Sequence, residues 1–107
     1  MTFCVIFVTV PDADVGERIA RTLVAERLAA CANRLPGVRS TYTWQGKIEN
    51  ADEELLLIKS RCEDFARVEA RVRELHPYEV PEIIATSILA GSPPYLAWMQ
   101  DSTERTK

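Results

Sequence analysis

The sequence predicts an α/β domain of the α+β kind, with one sheet and helices beside it. Two near-continuous apolar runs, residues 3–10 and 54–59, have the β-branched composition of buried strands. Between and after them, apolar residues recur at helical spacing, and Gln45-Gly46 provides a hairpin turn. A chain of 107 residues with 47% hydrophobic and 27% charged residues has the length and balance of one globular domain.

The first strand is predicted at residues 3–10. Because this run has almost no polar alternation, we expect it at the centre of the sheet and covered on both faces. Pro11 ends the strand and a helix follows. Asp14 and Glu17 have the spacing of a capping box, and the helical spacing of apolar residues fades near Leu28.

The next two strands are predicted to form a long hairpin from about Ala30 to Lys59. Residues 40–44 alternate large and small side chains in a strand-like composition, and Pro36-Gly37 indicates a turn or bulge before them. Each arm is longer than the usual strand of about 3–10 residues. The tip of the hairpin is therefore expected to overhang the sheet.

The overhang predicts association between copies of the chain. An overhanging strand pair exposes unpaired backbone edges, and Tyr42 and Trp44 add exposed aromatic surface. We therefore expect a homo-oligomer with Tyr42 and Trp44 at its interface. The alternative is a hairpin bent back over its own sheet at Pro36-Gly37.

The second half of the chain repeats the order of strand and helix. After the third strand, Ser60 and Glu63 have capping-box spacing and open a helix with a clear amphipathic stripe, which Pro77 ends. Residues 83–89 are predicted to form the last strand. Ser92-Pro93 then provides an N-cap and a first-turn proline for a short C-terminal helix.

The order of these elements defines the fold. A β-α-β-β-α-β chain with an additional C-terminal helix is the split βαβ arrangement of ferredoxin-like sandwiches. We assign residues 1–102 to this single domain and residues 103–107 to a polar C-terminal tail.

Charge, hydropathy and cysteine usage exclude several classes of partner. The net charge is −3 and the basic residues are scattered singly. The sequence therefore lacks the basic stripe that is typical of proteins that bind nucleic acid. The longest apolar run, residues 3–10, is far shorter than the ~20 residues of a membrane span and lacks the flanks of a signal peptide, so we expect a cytoplasmic protein. Cys4, Cys31 and Cys62 are odd in number and widely spaced, which fits separate thiols in a reducing compartment.

The segment from His76 to Glu82 is the main candidate for binding chemistry. It holds the only histidine, Tyr78 and two carboxylates, Glu79 and Glu82, in a stretch stiffened by two prolines. Imidazole suits copper, zinc and nickel, and a neighbouring carboxylate or thiolate can complete a metal site. In the alternative reading, His76 ends the preceding helix and donates to a nearby carbonyl, and Tyr78 and the glutamates pack and solvate a connector.

The cysteines are secondary candidates. Cys4 is expected in the core, because small buried thiols are common there. Cys31, at the junction of helix and strand, is a candidate metal ligand. Cys62 begins a helix, a position that favours a reactive thiol, although a capping box alone explains its place.

No catalytic constellation is present, so we do not expect an enzyme. A nucleophile, a general base and an orienting group in register are missing. The first loop, residues 9–14, lacks both the Cys-x-x-Cys of a copper chaperone and the glycine-rich, arginine-bearing cradle of an acylphosphatase. The strands also lack the exposed aromatic pairs of an RNA-recognition module.

Motifs spread over the chain resemble one known family. They are Thr9-x-Pro-Asp12, Leu28-Ala-Ala-Cys31-x-Asn33, Pro36-Gly37, Ser40-x-Tyr42-x-Trp44-x-Gly46-Lys47-Ile-Glu49, Ile58-Lys59, His76-Pro-Tyr-Glu-x-Pro-Glu-Ile83 and Tyr95-Leu-x-Trp98. Together they resemble the CutA family of divalent-cation tolerance proteins, and the resemblance runs from Phe3 to about Ser102.

The resemblance implies a homotrimer similar in architecture to PII signalling proteins, with long hairpins reaching between subunits. It also implies divalent-cation tolerance, with copper binding at His76–Glu79. Some relatives carry a second histidine and a first-strand cysteine where this chain has Leu75 and Val8, which leaves fewer copper ligands. The remaining set is His76 with Cys31, Glu79 or Glu82 from the same or a neighbouring chain.

Two functions follow. In the first, the trimer is a metal-responsive protein that binds copper or another divalent cation in clefts between subunits. In the second, a PII-like regulatory module binds a small anionic metabolite or a partner protein there, and metal binding is incidental. The candidate cleft residues besides the metal ligands are Lys47, Glu49, Lys59 and Tyr78. A trimeric scaffold without a ligand is the third possibility.

Overall fold

The computed structural model describes residues 2–105 as a four-stranded antiparallel sheet with three helices. The elements are β1 (Phe3–Val10), α1 (Ala13–Ala25), β2 (Cys31–Trp44), β3 (Lys47–Arg61), a 3₁₀ turn (Cys62–Asp64), α2 (Phe65–Leu75), β4 (Ile83–Ser87) and α3 (Pro93–Ser102). The strand order in the sheet is β2-β3-β1-β4. This topology confirms the predicted ferredoxin-like fold with an additional C-terminal helix.

The two faces of the sheet have different surroundings. One face packs against α1 and α2, and the core between them consists of Cys4, Ile6, Val8, Val10, Val15, Ile19, Leu23, Leu28, Ala29, Leu56, Ile58, Val68 and Val72. On the opposite face, here called the open face, α3 covers only the end where Met99 packs on Phe3 and Ala30. β1 is central, as predicted, and beyond this end the chain itself covers only one face of it. A helix of ten residues is only ~15 Å long and cannot span the sheet.

Both predicted capping boxes are wrong, because other partners take the same groups. Asp12, not Asp14, is the N-cap of α1, and its carboxylate accepts a hydrogen bond from Val15 N at 2.9 Å. Ser60 lies inside β3 and caps nothing. Its buried hydroxyl donates to the backbone oxygen of Leu28 at 2.6 Å, so it joins the end of the α1 segment to the sheet.

Two elements are shorter than predicted. α1 ends at Ala25 instead of Leu28, because Arg27 adopts a left-handed backbone with φ of 60° that a helix cannot continue through. β4 stops two residues short of its predicted end at residue 89. Ile88 still donates its backbone N–H to the Phe3 oxygen at 2.9 Å, but β1 begins at Phe3, so Leu89 has no residue of β1 to pair with.

The β2–β3 hairpin is as long as predicted. Gln45 and Gly46 have φ of 52° and 81°, the conformation of a two-residue turn with positive φ at both positions. β2 has 14 residues and β3 has 15. Residues 41–50 are all exposed, so the tip overhangs the rest of the sheet.

A bulge at Pro36-Gly37 changes which side chains of β2 share a face. The register shifts by one residue between Leu35 and Val38. A one-residue shift exchanges the two faces of a strand. As a result, Tyr42 and Trp44 lie on the open face, where without the bulge they would lie on the helix-covered one.

The start of the predicted polar tail is packed. Thr103 is buried, and its hydroxyl accepts a hydrogen bond from Arg61 Nε at 2.7 Å. Arg105 donates two hydrogen bonds, of 2.9 and 2.8 Å, to the buried carboxylate of Asp64. Residues 106–107 of the predicted tail lie outside the described residues. None of the helices within residues 2–105 has the length and apolar character needed to cross a membrane.

Candidate functional site

A cleft of about 640 Å³ lies between the overhanging hairpin and the connector that joins α2 to β4. Residues 40–44 of β2 line one side, residues 78–82 of the connector line the other, and Thr9 and Glu53 of the sheet complete it. This volume is within the range of small-molecule sites. It is the candidate functional site.

The aromatic side of the cleft results from the bulge in β2. Beyond the bulge, Val38 lies opposite Glu53, so Tyr42 and Trp44 share the open face with Glu53. Tyr42 is 45% exposed and Trp44 is 44% exposed. The two residues predicted at a subunit interface therefore line the cleft of a single chain and keep surface available for a second copy.

His76 ends α2 and fixes the path of the connector. Its backbone is extended, as expected for a residue before proline. Its Nε2 lies 2.8 Å from the backbone oxygen of Thr9, and its Nδ1 accepts a hydrogen bond from Tyr78 N at 3.1 Å. This pair of contacts requires the neutral imidazole with its proton on Nε2, which donates to Thr9. Both ring nitrogens are engaged within the chain, so the imidazole has no lone pair for a metal in this conformation.

Tyr78 joins the connector to the sheet. Its ring packs against His76 with a centroid distance of 4.6 Å, and its hydroxyl donates to Glu53 Oε2 at 2.8 Å. Burial, and then the hydrogen bond to the Glu53 carboxylate, raise the pKa of Tyr78 far above its usual value. The hydroxyl therefore remains a donor across the physiological pH range.

The charges on the cleft are negative. Three carboxylates, Glu53, Glu79 and Glu82, line it, and none of its lining residues in the described chain is lysine, arginine or histidine. Walls of one sign concentrate counter-ions of the opposite sign. The cleft is therefore suited to a cationic ligand.

Cys31 lies at a different part of the open face. Its Sγ is 3.8 Å from Lys59 Nζ and 3.8 Å from the Tyr95 hydroxyl, and Lys59 also donates to the side chain of Asn33. Thr9, which bonds His76, is four residues along β1 from the position opposite Lys59. At ~3.3 Å per residue this is roughly 13 Å. One chain thus does not bring Cys31 to His76.

The remaining charged candidates, Lys47, Glu49 and Lys59, do not lie together. Lys47 and Glu49 lie near the hairpin turn, opposite Trp44 and Tyr42, and their side chains are exposed. Lys47 and Lys59 are twelve residues apart on β3, roughly 40 Å of extended strand. Within one chain, these two lysines do not reach the same ligand.

The predicted copper ligands fit a single-chain site poorly. Of the four, only Glu79 and Glu82 line the cleft. The imidazole of His76 is engaged and the thiol of Cys31 is distant. Across residues 2–105, no three His, Cys, Asp or Glu side chains converge to hold a metal ion.

Glu53 lines the cleft but was not among the residues predicted for the site. It is 8% exposed and is the buried carboxylate of the cleft. The sequence did contain a signal for it. Side chains two residues apart on a strand lie on the same face, so Glu53 shares the face of Leu55 and Leu57 on β3. Nothing in the sequence indicates that Tyr78 reaches it.

The fold and the site define a small ferredoxin-like domain with an acidic, aromatic-lined cleft beside a long hairpin. Residues 4–102 match the family of CutA1 divalent ion tolerance proteins. The chain belongs to this family, which confirms the predicted membership.

Curated relatives agree with this assignment. The chain is 46% identical over 99 residues to the divalent-cation tolerance protein CutA of Thermus thermophilus, covering 92% of this chain and 96% of that protein. It is 45% identical over 98 residues to human protein CutA, covering 92% of this chain and 55% of that protein. The chain thus spans about half the length of the human relative.

Solved structures agree as well. CutA from Xylella fastidiosa superposes with a TM-score of 0.93 at 46% identity, covering 95% of this chain and 98% of that one. CutA1 from Oryza sativa superposes with a TM-score of 0.95 at 40% identity, covering 99% of this chain and 97% of that one.

Proposed function

We propose that this chain acts as a trimeric divalent-cation tolerance protein that binds a divalent cation at the cleft through Glu79 and Glu82. The observation that carries the proposal is the lining of the cleft, with three carboxylates and, among the residues described, no basic side chain. Carboxylate oxygens are ligands for hard divalent cations such as Mn²⁺ and, less selectively, for Cu²⁺. The name of the family supports a role with such ions.

Neighbouring copies complete the proposed cation site. Glu79 and Glu82 are too few for a site, and Glu53 does not converge with them, because the described part of one chain holds no group of three His, Cys, Asp or Glu side chains placed for a metal ion. The open face supports assembly, because beyond α3 it presents a band of half-buried or exposed apolar side chains: Val5, Phe7, Leu35, Leu55, Leu57 and Ile84. Covering this band with other copies removes apolar surface from water, and the proposal requires the same copies to supply the missing oxygen ligands at the cleft.

The alternative, a PII-like module for an anionic metabolite, has less support. Lys47 and Lys59, its expected charge partners, both lie outside the cleft. The carboxylates that line the cleft repel an anion. We assign no catalytic role, and the cytoplasmic location stays a prediction.

Calorimetric titration of the purified oligomer with Cu²⁺ and with Mn²⁺ tests the proposal. The Glu79→Gln/Glu82→Gln double variant is expected to bind both ions at least about tenfold more weakly than wild type. Glu69→Gln, which removes a carboxylate on α2 away from the cleft, serves as the matched control and is expected to bind as wild type. Light scattering on each sample is expected to give the mass of three copies.

His76→Asn separates the carboxylate proposal from the predicted imidazole site. The carboxylate proposal expects this variant to keep Cu²⁺ and Mn²⁺ binding. If His76→Asn abolishes Cu²⁺ binding while the double variant retains it, the imidazole is the ligand and the proposal is wrong. A mass of one copy contradicts the trimer.

A further inference from the structure

Two of the three cysteines are neighbours on the helix-covered face of the sheet. Cys4 in β1 lies opposite Ser60 in β3, and the pairing continues past the end of β3, where Cys62 N donates to the Thr2 oxygen at 3.0 Å. Cys62 is therefore two residues beyond the position opposite Cys4, and the two side chains share a face. Both pack in the same apolar cluster under the helices. They form a diagonal cross-strand pair, the arrangement in which side chains of adjacent strands still reach each other.

The two thiols differ in their access to solvent. Cys4 is 3% exposed, whereas Cys62 is half-buried at the start of the 3₁₀ turn. Burial raises the pKa of Cys4, and the charge of the Cys62 thiol and a side-chain hydrogen bond with it raise that pKa further, so the two sulfurs are neighbours. A metal ion would require both thiols as thiolates, which this apolar site disfavours. A disulfide carries no charge and suits the same surroundings.

We propose that Cys4 and Cys62 are a redox pair that forms an intrachain disulfide when the protein meets hydrogen peroxide. The sulfur of Cys62, the more accessible thiol, attacks one peroxide oxygen. The O–O bond breaks, which leaves a sulfenic acid on Cys62 and releases one water. The Cys4 sulfur then attacks the Cys62 sulfur, the S–O bond breaks, and the oxygen leaves as a second water with the Cys4 proton. The two thiols lose two electrons, and one peroxide molecule gains them.

The position of Cys62 at the end of a strand allows the bond to close. Diagonal neighbours lie roughly 7–8 Å apart at Cα, whereas disulfides usually span about 4.4–6.8 Å. The required approach of about 1 Å falls in a three-residue 3₁₀ turn and not inside a continuous strand. The bond links β1 to the start of α2, the helix that leads into the connector of the cleft.

The pair is independent of the proposed function. Copies of the chain that cover the open face leave Cys62 accessible, because it lies on the other face of the sheet. The proposed metal binding depends on Glu79 and Glu82, which line the cleft, and neither cysteine lines it.

Oxidation of the intact oligomer by hydrogen peroxide tests the pair. The protein is treated in chelator-containing buffer, unfolded, alkylated and analysed by peptide mass spectrometry. Wild type is expected to lose two of its three free thiols and to yield a linked pair of peptides that contain Cys4 and Cys62 and that dithiothreitol separates. The oxidised protein is also expected to unfold at a higher urea concentration than the reduced one, because the bond closes a long loop.

Three variants assign the roles of the thiols. Cys62→Ser is expected to form no link and to keep Cys4 reduced. Cys4→Ala is expected to form no link and to retain the sulfenic acid on Cys62, where dimedone traps it, because the second thiol is missing. Cys31→Ala is the matched control, since Cys31 lies on the open face beside Lys59, and it is expected to form the link as wild type does.

Three results would overturn the inference. They are a Cys4 that stays reduced in peroxide-treated wild type, a Cys62 linked to another copy of the chain instead of to Cys4, and loss of the link in Cys31→Ala. If Cys4→Ala fails to fold, the peptide map of wild type and Cys62→Ser still decide. Failure here leaves the metal proposal intact, because the readout is a covalent link, and failure of metal binding at Glu79 and Glu82 leaves this pair intact.

Discussion

The two ends of the open face differ in how their polar groups are satisfied. At the α3 end, the buried guanidinium of Arg61 donates to Thr103 Oγ1 at 2.7 Å and to the backbone oxygen of Gln100 at 3.0 Å. At the hairpin end, the buried carboxylate of Glu53 has the Tyr78 hydroxyl as its side-chain partner in the described chain. The first end is complete within one chain. The second presents unbalanced charge, aromatic rings and apolar surface, so we place binding and assembly there.

The helix-covered face and the open face of the sheet differ in the same way, since one is complete within the chain and the other is not. Two neighbouring leucines of β3, one on each face, test this difference and give the largest expected effect. Leu56 is fully buried under the helices, whereas Leu57 is half-buried on the open face. Leu56→Ala is expected to lower the free energy of unfolding by about 3 kcal/mol, because it leaves a cavity in a close-packed core. Leu57→Ala is expected to lower it less and to weaken association of the copies. Urea unfolding measures the first effect, and light scattering over a dilution series measures the second.

This pair is informative because the two substitutions are chemically identical. If copies cover the open face, Leu57→Ala dissociates at a higher protein concentration than wild type, while Leu56→Ala, once folded, does not. If both variants keep the wild-type mass over the whole dilution series, Leu57 is not a contact between copies. The proposed assembly through the open face is then wrong.

His76 gives a smaller effect and tests whether the connector is held by the chain itself. His76→Ala removes a buried ring that bonds Thr9 and Tyr78 and is expected to cost about 2 kcal/mol of unfolding free energy. His76→Asn keeps an acceptor for the Tyr78 amide and is expected to recover about half of that cost. Urea unfolding of the three proteins measures both values. Full stability of His76→Ala together with loss of metal binding would instead identify His76 as a ligand.

The sequence predicted the fold because periodicity is local, and it predicted less of the site because the site depends on distant contacts. The apolar runs of β1 and β3 and the stripe of α2 were sufficient for the topology. A turn or bulge at Pro36-Gly37 was also predicted, yet the consequence of the bulge for Tyr42 required the register of the hairpin. Tyr78 and Glu53 meet across 25 residues of sequence. The engagement of His76 was only one of two open readings, because a histidine before a proline does not reveal which carbonyl it reaches.

Competition between nearby polar groups explains the errors in the helix starts. Asp12 and Asp14 are both N-cap residues by type, and only the backbone path after Pro11 decides between them. Ser60 has capping-box spacing, but the strand continues through it, and its hydroxyl donates a hydrogen bond to the Leu28 carbonyl. For Ser60 the tertiary structure supplied a partner that local spacing does not encode, whereas the choice of Asp12 over Asp14 is made by the local backbone.

The smallest expected effect on stability concerns Cys4, a buried thiol on the helix-covered face of the sheet. Burial, and then the neighbouring Cys62 thiol, raise the pKa of Cys4 from 9.0 to about 12. Between these values the native state holds a proton that the unfolded chain loses, so unfolding free energy contributed by Cys4 is present below pH 9.0 and falls as pH rises towards 12. Cys4→Ala is therefore expected to reduce the loss of stability between about pH 9 and 10.5, measured by urea unfolding at each pH. Val8→Ala, a buried substitution on the same face that removes no titratable group, is the control and is expected to keep the wild-type pH dependence. If the unfolding free energy of Cys4→Ala falls with alkaline pH as steeply as that of wild type, Cys4 is not desolvated. The helix-covered face would then not be closed to solvent at this position, and the contrast with the open face would fail there.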